Sequence, residues 1–258
     1  MRAPLVTQIT ATSVVPEVEL VTRLRALGGW SEAWRARVAV QLRDPELSAA
    51  ALLAMGRRLR AITAELGMAL LVNDRLDVAQ LLGAEGVHLG RRSVGVEEAR
   101  RFLGGSAWIS VACHDLDDIW RALVEGADAV TLSPVFASPG KGVPLGLEVL
   151  GVARSTIEQG PVSPDGLNGL GGLDSTQAHG QQRPRTVALI ALGGIEARNA
   201  ASCLAAGADG VAAIREAPAR LLAALAEGEV GACLADAGEA PGALRHGVAS
   251  RRKESKGR

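Results

Sequence analysis

Short apolar, β-branched runs take turns with longer Ala/Leu/Arg stretches of helical period, about eight times along the chain. Few folds accept such a pattern, because a parallel strand rejoins its sheet only through a crossover, and the usual crossover is a helix. The strand candidates are Leu5–Thr10, Val38–Arg43, Ala69–Asn73, Gly86–Leu89, Trp108–Cys113, Ala129–Leu132, Val187–Leu192 and Gly210–Ile214. Helices are expected near 17–27, 46–66, 75–82, 95–103, 115–125, 145–157, 196–206 and 217–226, several opening with Asp or Pro as first turns favour. Eight pairs predict an α/β fold, a (β/α)8 TIM barrel, as a single domain over residues 1–226.

An internal echo supports the repeat. Gly83-Ala84-Glu85-Gly86-Val87, Gly126-Ala127-Asp128-Ala129-Val130 and Gly207-Ala208-Asp209-Gly210-Val211 each follow an Ala/Leu-rich helix and open a strand. The glycine is placed to end the helix in the left-handed conformation and turn the chain back into the sheet. Any parallel α/β protein can reuse this turn, so the echo speaks to topology rather than chemistry.

Two segments break the alternation. Residues 158–185 hold six Gly and three Pro without apolar period, which predicts a flexible surface insertion before the seventh strand. Residues 227–258 end in a basic run, Arg251-Arg252-Lys253, expected to be a disordered, solvated tail. The glycine cluster from Gly166 to Gly172 follows no strand and opens no helix, so a dinucleotide fingerprint is rejected.

Composition narrows the function. With 28 basic against 28 acidic side chains and 2% aromatics, the chain lacks both the charge excess and the stacking residues of a nucleic-acid binder. Any anion must meet a local site. Cys113, Cys203 and Cys233 lack CxxC spacing, which excludes a disulfide framework and a zinc module. No run reaches the ~18 apolar residues of a membrane span, and Met1–Thr10 does not read as a secretion signal, so a cytoplasmic protein is expected.

The working face of such a barrel is where its strands end. Those ends carry Gln41 and Arg43, Asn73 and Asp74, His88 with Arg91 and Ser93, His114, Ser138 with Lys141, Gly193-Gly194, and Ile214-Arg215. Arg43, Asn73, Asp74, Arg91 and Lys141 are expected to gather around an anion, with Asp74 able to hold a magnesium ion. Asp74 can equally cap the following helix through the amides of residues 76 or 77. The diglycine after the seventh strand offers amides and a helix N-terminus to a phosphate, with Arg215 beside it. His88 sits in an apolar strand, where a core or supporting role competes with that of a base; His114 adjoins Asp115, a helix N-cap candidate. Cys113 and Trp30, Trp34, Trp108 and Trp120 read as packing.

Taken together, Val40-Gln41-Leu42-Arg43, Leu71-Val72-Asn73-Asp74-Arg75, Gly86-Val87-His88-Leu89-Gly90, Ser133-Pro134-Val135-Phe136 with Lys141, Ala191-Leu192-Gly193-Gly194-Ile195 with Asn199, and Ala208-Asp209-Gly210-Val211-Ala212 resemble the thiamine phosphate synthase and TenI-like superfamily. The resemblance spans about residues 5–225, apart from the insertion. It implies a barrel that joins hydroxymethylpyrimidine diphosphate to thiazole phosphate and releases pyrophosphate with magnesium. Carried over, it places Gln41 on the pyrimidine, Arg43, Asn73 and Lys141 on the diphosphate, Asp74 on magnesium, and Gly193 and Gly194 on the thiazole phosphate. Arg43, Lys141 and His88 are then the expected catalytic residues; Arg91, Ser138, Ile214 and Arg215 join the substrate-binding set.

The chain departs from the synthase pattern at several positions. A second magnesium carboxylate is Ser93, a lysine after Arg43 is Pro45, and a diphosphate-binding serine is Ala112. Arg91-Arg92-Ser93 and Pro144-Leu145-Gly146-Leu147-Glu148 look closer to the TenI-like branch, yet the tautomerase histidine of that branch falls at Pro134. A slow synthase is therefore expected. The alternatives are a thiazole phosphate binder without turnover and a thiazole isomerase using His88 or His114. A small phosphorylated heterocycle is the expected partner, with self-association into a homo-oligomer left open.

Overall fold

The computed structural model describes residues 1–160 and 187–227. Its strands are β1 (Val6–Ile9), β2 (Val38–Leu42), β3 (Ala69–Asn73), β4 (Gly86–Leu89), β5 (Trp108–Cys113), β6 (Ala129–Leu132), β7 (Ala188–Leu192) and β8 (Gly210–Ala213). All pair in parallel and in chain order, and β8 returns to β1, closing a barrel. The helices are α1 (Glu17–Arg25), α2 (Glu32–Arg35), α3 (Ala49–Leu66), α4 (Leu76–Leu82), α5 (Val96–Leu103), α6 (Leu116–Val124), α7 (Glu148–Gln159), α8 (Ala197–Ala205) and α9 (Pro218–Ala226). The TIM-barrel expectation is met.

Boundaries differ where local chemistry overrides period. Ser48 caps α3 by accepting from the Ala51 amide, so the helix starts three residues later than expected. α7 starts at Glu148 rather than near 145, because Leu145 and Gly146 donate backwards to the Pro134 and Val135 carbonyls. Residues 158 and 159 complete α7 and Gly160 ends it; residues 161–185 of the predicted insertion, the tail from 228 and Cys233 lie outside the described residues. Between α1 and β2 the structure adds a 3-10 turn, Ala26–Gly29, and the short α2, which sequence period did not show. There Trp30 and Trp34 pack edge to face with ring centroids 5.7 Å apart, filling the space under the α1–β2 crossover. Trp120, in contrast, is partly exposed.

Strand alternation sorts the side chains. Val38, Val40, Leu42, Val87, Leu89, Ile109 and Leu132 join the large core between sheet and helices. A smaller apolar cluster, Ile9, Ile190 and Ala212, closes the lumen near the upper rim. Gln41, Ser110 and Thr131 border a lumenal void of only about 10 Å³, so the barrel is filled and offers no passage.

The echoed turns act as fasteners at the opposite, N-terminal end. Gly83, Gly126 and Gly207 all have positive φ, as expected of glycines that end a helix. The acid two residues on then reaches the neighbouring strand. Glu85 accepts from the Leu70 amide, Asp128 from Ile109 and Asp209 from Leu189, at 2.7, 2.9 and 2.8 Å. Each also pairs with an arginine from the helix before that neighbouring strand: Arg60 on α3, Arg100 on α5 and Arg154 on α7. Arg100 and Arg154 further donate to the carbonyls of the turn glycines Gly126 and Gly207. The same two-strand unit is thus written three times.

Candidate functional site

At the C-terminal ends of β2 to β4 a polar chain starts in the lumen and climbs to the rim. The Gln41 side chain donates to Asn73 Oδ1 at 3.0 Å, and Asn73 Nδ2 donates to Asp74 Oδ2 at 2.6 Å. Asp74 has φ +59°, a left-handed backbone that β-strands do not use. This turn swings its carboxylate toward the β4 loop, where Oδ1 accepts from the Gly90 amide at 3.1 Å and from the Ser93 hydroxyl. Gly90 also donates to Ser93 Oγ at 2.7 Å. The capping alternative is therefore corrected: α4 starts at Leu76 without a side-chain cap, because the Asp74 carboxylate points across the rim instead of down the helix.

Below this chain His88 is buried, with Nδ1 2.9 Å from Ser110 Oγ. Burial pushes its imidazole down to about 4, against the pull of Asp74 and with the help of Arg43, so it is neutral near pH 7. Arg43 itself is exposed at the mouth, its backbone clamped in both directions by the Thr10 hydroxyl at 2.8 and 2.9 Å. Asp44 beside it is occupied by the Thr12 amide and hydroxyl. Arg91 is exposed and lies 4.0 Å from Asp118, which also pairs with Arg121. His114 directs Nδ1 to the Ser133 carbonyl at 2.8 Å, and Asp115 caps α6 as expected.

The ends of β6 to β8 form the other half. Val135 and Phe136 donate to the Leu192 and Gly193 carbonyls at 2.9 and 3.0 Å, fastening the β6 loop along the end of β7. The diglycine is required by this contact: a Cβ on Gly193 would lie 2.7 Å from Pro134 Cα, and one on Gly194 2.6 Å from the Ala137 carbonyl oxygen. Both glycines also have positive φ. Asn199 holds the turn by donating to the Gly194 carbonyl at 2.9 Å. A groove of about 540 Å³ opens here, lined by Ser138, Gly193, Gly194, Ile214, Arg215 and Glu216. Lys141 is exposed on the turn just beyond Ser138.

The structure thus brings Ser138, Gly193, Gly194, Ile214 and Arg215 to one groove, and links Gln41, Asn73 and Asp74 by direct bonds. Arg43, Arg91 and Lys141 stand at the same end of the barrel on separate loops, and His88 lies in the lumen beneath. Sequence reasoning missed Gln8 and Glu216. Gln8 donates across to the Ala213 and Ile214 carbonyls, holding the loop after β8. Glu216 accepts from the Ala197 and Ala217 amides at 3.3 and 3.1 Å and pairs with Arg220. A glutamine inside an apolar strand was the available signal for the first. A larger groove, about 970 Å³, lies at the N-terminal end, but there Arg60 is paired to Glu85 and Arg37 donates to the Ala3 carbonyl.

Comparison with known proteins decides the family. The model of the family described as thiamine monophosphate synthase matches residues 25–217. The chain belongs to that family. It is 32% identical over 202 residues to a thiamine-phosphate synthase of Moorella thermoacetica, covering 77% of this chain and 79% of that one. It is 36% identical over 197 residues to a thiamine-phosphate synthase of Methanoculleus marisnigri, covering 75% and 77%. Thiamine phosphate pyrophosphorylase from Pyrococcus furiosus superposes with a TM-score of 0.64 at 25% identity, covering 86% of this chain and 95% of that one.

Family membership implies magnesium, and the donor set here fits it poorly. Among the described residues no group of three or more His, Cys, Asp or Glu could hold a metal. Asp74 already receives three donors, and the group facing it across the loop is the neutral Ser93, whose proton is committed to Asp74. Asp44 and Asp118 are bound to Thr12 and to arginines. Magnesium is usually held by one or two carboxylates with substrate phosphates, and at the β3–β4 rim Asp74 is a single carboxylate already engaged by three donors. No helix among the described residues is long and apolar enough to cross a membrane.

Proposed function

We propose that this barrel joins a hydroxymethylpyrimidine diphosphate to a thiazole phosphate, releasing pyrophosphate, at the C-terminal rim. The observation that carries the reading is the two-part site: a polar chain from Gln41 to Asp74 beside exposed arginines, and a diglycine groove opposite. Gln41 presents an amide suited to the polar edge of the pyrimidine, and Asn73 beside it offers a side-chain amide to the diphosphate. Arg43, Arg91 and Lys141 take the diphosphate, and Gly193, Gly194, Ser138, Ile214 and Arg215 take the thiazole phosphate.

The chemistry asks little of acids and bases. The pyrimidine CH2–O bond breaks with its electron pair going to the diphosphate oxygen, and the thiazole nitrogen supplies the pair for the new C–N bond. Negative charge grows on the leaving group, so fixed cations stabilise that state more than the substrate. His88, neutral and bonded to Ser110, acts as a brace under the pyrimidine rather than as a proton carrier. Ala112 leaves one fewer hydroxyl for the diphosphate, from which slower turnover is expected.

The test is incubation with both substrates, following thiamine phosphate by chromatography and pyrophosphate release by a coupled assay. Stoichiometric formation of both products supports the reading. Absence of both products with each substrate bound would leave a binder without turnover and refute the synthase.

A further inference from the structure

Resting on the proposed synthase site, we infer that the diphosphate is neutralised at this rim by arginine and lysine side chains in place of a carboxylate-held magnesium. Two sets of observations meet. The first is the engaged acid: Asp74 accepts from Asn73, Gly90 and Ser93, and the group facing it across the loop is the Ser93 hydroxyl in place of a second carboxylate. The second is the charge around it. Arg43, Arg91, Arg92 and Lys141 are all exposed, on the β2, β4 and β6 loops of the same barrel end. Arg43, Arg92 and Lys141 make no ion pair within 4.0 Å among the described residues. Arg91 is held only at 4.0 Å from Asp118, whose closer partner is Arg121 at 2.5 Å.

Electrostatics decides between the two arrangements. A dication approaching Asp74 meets one hydrogen-bonded carboxylate and cations on three surrounding loops, whereas a diphosphate meets unpaired guanidinium and ammonium groups. A guanidinium also offers a planar fork of N–H donors to two phosphate oxygens at once, without any carboxylate to hold it in place. Because these cations are exposed, the attraction is screened by salt and weakens steeply as ionic strength rises.

The experiment is calorimetric titration of the full chain with inorganic pyrophosphate, once in EDTA and once in magnesium chloride, with thiazole phosphate titrated in parallel. Pyrophosphate is expected to bind in EDTA at least as tightly as with magnesium, and to weaken when salt is added. The double variant Arg91→Gln/Arg92→Gln should weaken binding in EDTA by about tenfold or more. Ser93→Asp, which places a second carboxylate opposite Asp74, should weaken binding in EDTA and restore it with magnesium. Pyrophosphate binding that appears only with magnesium overturns the inference, as does a double variant that binds like the wild type. If thiazole phosphate binds and pyrophosphate does not in either buffer, the inference falls while the groove stands. If neither binds, the proposed function falls with it.

Discussion

Replacing Asp128 by alanine removes the fastener between β5, β6 and α5. Its carboxylate is 7% exposed, accepts from the Ile109 amide at 2.9 Å and meets Arg100, 25% exposed, at 2.9 Å. Loss of a buried ion-pair partner costs about 3–5 kcal/mol, because the cation and the amide left behind stay desolvated. Arg100 retains the Ala107 and Gly126 carbonyls as acceptors, so the lower part of that range, about 3 kcal/mol, is expected. Glu85 is the internal control, since its bonds are alike but Arg60 and Glu85 are 32% and 34% exposed. Solvent refills that gap, so Glu85→Ala should cost about 1 kcal/mol. Equilibrium unfolding in urea measures both from the midpoint shift at constant slope. Equal losses for the two variants, or less than about 1 kcal/mol for Asp128→Ala, would refute the claim that burial sets the strength of the repeated fastener.

Further expectations concern the rim and the buried titratable groups. Gly194→Ala forces a Cβ against the Ala137 carbonyl at positive φ, so it should destabilise by about 1–3 kcal/mol and weaken thiazole phosphate binding in the same titrations. Unchanged stability would show that the turn is not held as described. His88 has its folded value lowered from 6.5 to about 4, so the unfolded chain binds the proton first on acidification. Its contribution is complete above pH 6.5 and is lost as pH falls toward 4, by about 3 kcal/mol in all; His88→Gln should flatten the stability curve in that window. A curve equally steep in the variant assigns the effect elsewhere. Burial raises the thiols of Cys113 and Cys203 to about 12 and 11, so neither should react with a disulfide reagent at pH 8 in a Cys233→Ser background until the protein unfolds.

Much of the barrel was legible because its signals are local. β3, β4, β5 and β6 fall where apolar β-rich runs begin and end, and the glycines of the echo end helices as their spacing implies. The short α2 was not legible, since four residues carry no period and Trp30 and Trp34 declare themselves only in contact with each other. The acids of the echo were visible, but their role was not. Each pairs with an arginine 25 to 55 residues earlier, a separation that no window of sequence spans. The strand-end residues Gln41, Asn73, Asp74, Gly193 and Gly194 share one end of the barrel because parallel strands all finish on the same face. What failed was direction: nothing in Asn73-Asp74-Arg75 announces the left-handed backbone that turns the Asp74 carboxylate away from α4 and toward Ser93.

The three acid–arginine fasteners also impose a division of labour on the two mouths of the cylinder. They close the sheet at the end where the strands begin, whereas the groove and its surrounding cations belong to loops at the end where they finish. Swapping a carboxylate for a hydroxyl, or a lysine for a proline, at the upper mouth leaves this lower girdle intact. A scaffold fastened in this way lets the loops at its other mouth be altered without loosening the frame that carries them.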